Sequence, residues 1–181
     1  MSYLWVMDEK NSLAMHAFAG LGVPYGNSYS LPIERMYYSG GPSSMRGWQI
    51  RSLGPGAYAS DSIGDVMYQV SDMKLELNAE YRFKLFKYFE GAVFMDVGNI
   101  WTINKNDPRA GALFDWRNFY DELAWNTGLG ARFNLDFLII RLDWGLQLKQ
   151  PSSSMDQGWV QPRSWFKGGA SSWHFAIGYP F

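Results

Sequence analysis

The sequence has no cysteine, which excludes a disulfide framework and a thiolate metal site. Its two histidines, His16 and His174, are too few for a histidine-rich metal centre. Charge of one sign is also missing. Sixteen basic and 17 acidic residues leave a net charge of −1, so nothing points to a nucleic-acid partner. No stretch approaches the roughly 18 consecutive apolar residues of a transmembrane helix. The opening "MSYLWVMDEKN" lacks the basic region and apolar core of a secretory signal. Neither a phosphate-binding Gly-x-x-x-x-Gly-Lys-[Ser/Thr] loop nor a Gly-x-Ser-x-Gly elbow occurs. What the chain does have is aromatic residues, 18% of the total with nine tryptophans. Such residues suit strands, interfaces and membrane boundaries. The mean hydropathy of −0.24 reads as soluble, but a membrane β-barrel alternates lipid-facing apolar with inward polar residues, and the average cancels.

Period two dominates the chain. In "MKLELNAEYRF" (73–83) Met73, Leu75, Leu77, Ala79, Tyr81 and Phe83 alternate with Lys74, Glu76, Asn78, Glu80 and Arg82, a strand with one wet face. The same alternation runs through 89–97, 125–133 and 138–148. In the last of these, Leu138 to Leu148 at even positions oppose Ile139, Arg141, Asp143, Gly145 and Gln147. At the C-terminus Trp173, Phe175, Ile177, Tyr179 and Phe181 alternate with His174, Ala176, Gly178 and Pro180. Weaker strands are expected over 2–8, 12–22 and 30–38, about eight in all, with no convincing helix. Short connections are expected near 23–29, 84–88 and 134–136, and long ones near 39–69, 102–122 and 149–171. Short turns at one rim and long loops at the other are the habit of outer-membrane barrels.

Alternation alone also fits a soluble sandwich or a lipocalin-like barrel, whose apolar face would point inward. The polar face favours the membrane barrel, because its charges are interleaved with Gly98, Gly128, Gly130, Gly145 and Gly178. Glycine weakens a strand unless something approaches closely. A second anomaly is the stretch "GGPSSMRGWQIRSLGPG" (40–56), where Arg46 and Trp48 flank Gly47 among glycines and prolines.

Four segments together resemble one family. "MRGW" (45–48) is similar to the Val-Arg-Gly-aromatic motif in the long lumen loop of the bacterial outer-membrane assembly proteins of the BamA and TamA type and their two-partner-secretion relatives. "FMDVGNIW" (94–101) resembles their Phe-x-Asp-x-Gly strand. "NTGLGARFNLDFLIIRLDWGLQL" (126–148) resembles their penultimate hairpin, and "WHFAIGYPF" (173–181) their C-terminal β-signal. The resemblance covers roughly residues 12–181 in order.

That resemblance implies an all-β fold, an antiparallel transmembrane β-barrel in the bacterial outer membrane, of which this sequence (1–181) supplies the C-terminal half of sixteen strands, with no POTRA domain. It implies that loop 39–69 enters the lumen, where Arg46, Gly47 and Trp48 form a latch with Glu80 and Asp96. There Gly47 would let the backbone turn against the wall and Trp48 would pack on a strand glycine. Trp173, Phe175, Ile177, Tyr179 and Phe181 would form the terminal-strand signal and lateral edge. The implied function is outer-membrane protein assembly and insertion, or translocation, by strand-edge pairing with unfolded clients, without enzymatic catalysis, cofactor or metal. A passive pore or small structural barrel is the alternative. An eight-stranded interior has room only for side chains, so the remaining strands are expected from a longer parent chain or another copy, unless the barrel closes alone with the loop expelled. Arg141 and Asp143 are expected to be a lumen charge ladder, and Ser172 with His174 an incidental pair.

Overall fold

The computed structural model describes residues 1–28, 30–58, 69–135, 137–152, 157–166 and 169–181. Among these residues seven strands form: β1 (Ser2–Val6), β2 (Asn11–Leu21), β3 (Met73–Phe86), β4 (Phe89–Trp101), β5 (Ala124–Asn134), β6 (Ile139–Lys149) and β7 (Ser171–Ile177). They make one sheet in sequence order, each strand antiparallel to the next. Among the described residues the only helical pieces are a 3-10 turn at Ile33–Arg35 and one α-turn at Arg163–Phe166. No helix among the described residues is long and apolar enough to cross a membrane.

The alternation read in the sequence sets the two faces. On β3, Glu76, Asn78, Glu80 and Arg82 are buried while Leu77 is 52% exposed. On β5 Leu129 is 55% exposed and Arg132 fully buried, and on β7 Phe175 is 69% exposed and His174 buried. A soluble sandwich would show the opposite, with charges outward and leucines inward. An apolar outer face over a covered, charged inner one is the arrangement of a membrane β-barrel. The sheet is a partial barrel, because it does not close: β1 and β7 each have one partner and lie at opposite ends of the strand order.

Seven strands form where about eight were expected, and the missing one is 30–38. Pro32 has no N–H to give a ladder, and it leads directly into the 3-10 turn at Ile33–Arg35. Only an isolated bridge between Tyr37 and Ser71 remains of that strand. The described residues 23–28 therefore belong to one connection between β2 and β3 rather than to a short turn, and Tyr29 of the expected 23–29 connection lies outside the described residues. The first short turn lies at 7–10, where the Asp8 carboxylate accepts the backbone N–H groups of Lys10 (2.7 Å) and Asn11 (2.8 Å). Asp is suited to that role because its short side chain mimics a backbone turn. With these two changes the connections alternate fully: 7–10, 87–88 and 135–138 at one rim, and 22–72, 102–123 and 150–170 at the other. Residues 59–68 of the expected 39–69 loop lie outside the described residues, as do 153–156 and 167–168 of the 149–171 connection and Asp136 at the 134–136 turn.

The described part of the first long connection lies against the polar face. A Cβ at Gly145 of β6 would collide with the Arg46 carbonyl, and one at Gly128 of β5 with the Phe94 ring and the Trp144 carbonyl. These strand glycines leave the space that the loop and Phe94 occupy. Gly145→Val is therefore expected to unseat the loop and cost about 1–3 kcal/mol, read as a lower urea midpoint in micelles. Ile140→Val, on the opposite face of the same strand, should shift the midpoint less.

Candidate functional site

The loop tip presents Arg46 with no exposed surface. Its guanidinium engages Asp96 of β4 with two bonds, Nε to Oδ2 at 3.0 Å and Nη2 to Oδ1 at 2.7 Å. Nη1 donates to Glu80 Oε2 on β3. The planar fork of arginine makes this possible, since one side can grip a carboxylate in parallel while the other reaches a second acceptor. The Phe94 ring lies 3.6 Å below the guanidinium carbon, adding a cation–π contact in a desolvated setting.

The backbone of the tip is held as closely as its side chain. The Asn126 amide of β5, oriented by its partners, donates to Asp96 Oδ2 at 2.9 Å and accepts the Gly47 N–H at 2.8 Å. Gln147 of β6 donates to the Gly47 carbonyl at 2.9 Å. His174 Nε2 of β7 lies 3.1 Å from the Arg46 carbonyl, an acceptor, which puts the proton on Nε2. Further along, Asn78 Nδ2 donates to Asp96 Oδ1 and to the Ser44 carbonyl, both at 3.1 Å. The Ser39 hydroxyl donates to Glu76 Oε1 at 2.7 Å, and Ser44 donates to the same oxygen.

Gly47 is needed for close approach: a Cβ there would stand 2.7 Å from the Asn126 Cβ, and Gly47 is not among the positive-φ residues. Trp48 is buried with Met45, Leu53 and Ala124, and the strand glycine under the tip, Gly145, receives the Arg46 backbone.

Glu80 is a hub. Besides Arg46 it receives Arg132 Nη2 at 2.8 Å and Arg82 Nε at 2.7 Å. Arg132 continues to Asp143 Oδ1 at 2.9 Å, and Arg141 Nη1 lies 3.4 Å from Asp143 Oδ2. Arg132 and Arg141 stand directly opposite each other on β5 and β6, a like-charge pairing that is unfavourable by itself. Asp143 sits between them and removes the conflict. Arg141 and Asp143 thus belong, through Arg132 and Glu80, to the network that holds Arg46. Arg132, Asn126, Phe94, Gln147 and His174 did not emerge as loop partners from the sequence. Parity put them on the right face, but only strand register brings them to the tip.

The terminal residues divide into two sets. Trp173, Phe175 and Ile177 point outward along β7, as the alternation requires. Tyr179 and Phe181 do not continue that row. Gly178 has φ = 85°, a left-handed conformation that glycine adopts without strain, and β7 ends there. The Tyr179 hydroxyl donates to Glu90 at 2.9 Å and its ring lies 4.2 Å from the Arg82 guanidinium carbon. Phe181 stacks on His16 with centroids 5.4 Å apart. The last residues therefore turn onto the polar face rather than extend the lateral edge.

Among the described residues no cluster of histidine, cysteine or carboxylate side chains is arranged to hold a metal ion. Outside the strands, at the long-loop rim, burial pushes the Glu122 carboxyl above its ordinary value, opposed by the Trp101 Nε1–H donated to its Oε2 at 2.5 Å.

The sequence matches the Omp85 superfamily domain over residues 2–181. The chain belongs to the Omp85 superfamily. This agrees with the resemblance carried by the Arg-Gly-aromatic, Phe-x-Asp-x-Gly and terminal-strand motifs. The chain is also similar to the sorting and assembly machinery component 50 homolog of Xenopus tropicalis, with 28% identity over 139 residues, which cover 70% of this chain and 28% of that protein. It thus spans under a third of that relative's length. That relative is an animal protein, so the similarity does not place the chain in bacteria.

Two predictions follow from this geometry. Arg46→Ala should lower stability by about 3–5 kcal/mol, since it leaves buried carboxylates without their counter-charge. Arg46→Lys should recover only part of that loss, because an ammonium cannot reproduce the fork; urea unfolding in micelles reads both. For Glu122 the folded carboxyl titrates above the unfolded one. Its contribution is fully present below the ordinary glutamate value of 4.5 and is lost as pH rises through the raised value. Glu122→Gln should flatten the pH dependence of the midpoint across that window.

Proposed function

We propose that this chain forms the C-terminal part of an outer-membrane barrel that assembles and inserts other β-barrel proteins, without covalent catalysis. The observation that carries the reading is the long loop anchored by Arg46 across the polar face of a sheet whose β7 edge is unpaired. An unpaired edge in lipid is costly, several kcal/mol for each unsatisfied backbone group, and is relieved by pairing with another strand. A client strand added to β7 would gain main-chain hydrogen bonds, with the outward row of Trp173, Phe175 and Ile177 aligning its alternate side chains. In the intact barrel the other edge partner is a strand of a longer parent chain or of another copy.

Membrane placement is supported by the outer face. Aromatic side chains gather toward both rims: Phe86, Tyr88, Phe133 and Phe137 by the short turns, and Trp116, Tyr120 and Phe166 by the long connections, with Trp144 stacked on Trp173 at 5.5 Å nearby. Leu77, Val93, Met95, Leu129 and Leu142 are exposed between them. Girdles flanking an apolar band match the interfaces and core of a bilayer. A passive pore is less favoured, because the loop would occupy the lumen that an open channel needs.

The test is reconstitution of the chain within its complete barrel in liposomes, with an unfolded barrel client. Client folding should accelerate. Because the chain has no cysteine, a single Phe175→Cys substitution should form a disulfide to a cysteine in the client's terminal strand, and the same substitution at Leu129, within the sheet, should not. No acceleration, or a steady high single-channel conductance, would overturn the reading.

A further inference from the structure

At the long-loop end of the polar face the chemistry changes. The charged network gives way to a cavity of about 430 Å³ between the loop (47–58) and the ends of β6 and β7, within the size range of small-molecule sites. Among the described residues, none that lines it carries a charge. Its polar groups are side-chain amides and hydroxyls, chiefly those of Gln49, Gln69, Gln147, Gln150 and Ser172, with Tyr58 supplying apolar surface.

Several of these groups are fixed by one another. Gln147 donates to the Gly47 carbonyl and accepts from Gln150 Nε2 at 2.8 Å. Gln49 Nε2 donates to the Ser172 hydroxyl at 2.7 Å. Each primary amide has two donors and an acceptor with two lone pairs, so these bonds position the side chains and leave hydrogen-bonding capacity over. Gln69 is nine-tenths buried in the wall, and its Oε1 accepts no hydrogen bond.

We infer that this cavity is a binding site for a neutral saccharide unit. An anion would require arginine or lysine in the lining and a cation would require carboxylates; neither is present among the described lining residues. A purely apolar ligand would leave the amides unpaired at a desolvation cost. Hydroxyl groups both donate and accept, as the mixed amide and hydroxyl lining demands, and the C–H face of a sugar ring suits Tyr58. An extended peptide pairs with a sheet edge, whereas these groups line a concavity on the sheet face. The site is separate from the β7 edge, and its binding is measured without any client.

The test uses the chain within its complete barrel, folded in a zwitterionic detergent with no sugar headgroup, and saturation-transfer NMR with maltose or methyl β-galactoside as probe. Saturable binding is expected, insensitive to salt because no charge takes part. Gln150→Leu and Gln49→Leu should each weaken it about tenfold, the effect of losing one hydrogen-bonding partner. Gln150 is exposed, so its variant keeps the test decisive if the other does not fold. A parallel arm in nanodiscs containing a monogalactosyl lipid separates a free sugar from a lipid headgroup, and binding in either arm supports the site. The assignment is overturned by no saturable signal in both arms, by unchanged affinity in Gln150→Leu, by equal binding of glycerol, or by preference for an uncharged peptide.

Discussion

An arginine with no exposed surface stands in a protein only where counter-charges reach it, since removing its hydration costs several kcal/mol. Arg46 meets that demand with Asp96 and Glu80, and the rest of the polar face is arranged around the pair. β3 brings Glu80, β4 brings Asp96 and Phe94, β5 brings Asn126, β6 brings Gln147 and the vacancy at Gly145, and β7 brings His174. The loop tip touches five consecutive strands. It could not do so if Gly145 beneath it carried a side chain.

The same face explains how so much charge is tolerated inside. Arg46, Arg82, Arg132 and Arg141 are matched by Glu80, Glu90, Asp96 and Asp143, all buried. The charges form a chain from Asp143 through Arg132 and Glu80 to Arg46 and Asp96. Low local dielectric strengthens each of these bonds and raises the cost of leaving one unmade. The outer face needs no such compensation, because it is apolar and faces hydrocarbon.

Much of this was legible in the sequence, for identifiable reasons. A strand has period two, so "MKLELNAEYRF" assigns Glu80 and Leu77 to opposite faces without any knowledge of neighbours. Glycines among charges on one face signalled that something packs there. Arg46 could be linked to Glu80 and Asp96 only through the motif resemblance, because nothing in parity selects one acid over another. What stayed hidden depends on register or on single backbone angles. Arg132 lies opposite Arg141 because of the pairing of β5 with β6, which neither strand shows alone. Tyr179 and Phe181 fit the outward row perfectly until the left-handed turn at Gly178 takes them off it. The strand expected over 30–38 stops at Pro32, whose missing N–H outweighs the pull of the surrounding apolar residues.

The seating of the loop tip also bears on the order in which the fold can form. Arg46 is 34 residues from Glu80, 50 from Asp96 and 128 from His174 in sequence. No part of its nest exists until distant strands have paired, and β-pairing of that range is slow because loop closure comes before any reward. A sliding error of one residue in any strand would also turn that strand's contribution to the wrong face. The tip can bury its charge only over a sheet already assembled in the correct alignment. Its docking is therefore a late event, and it acts as a built-in check that the preceding steps were right.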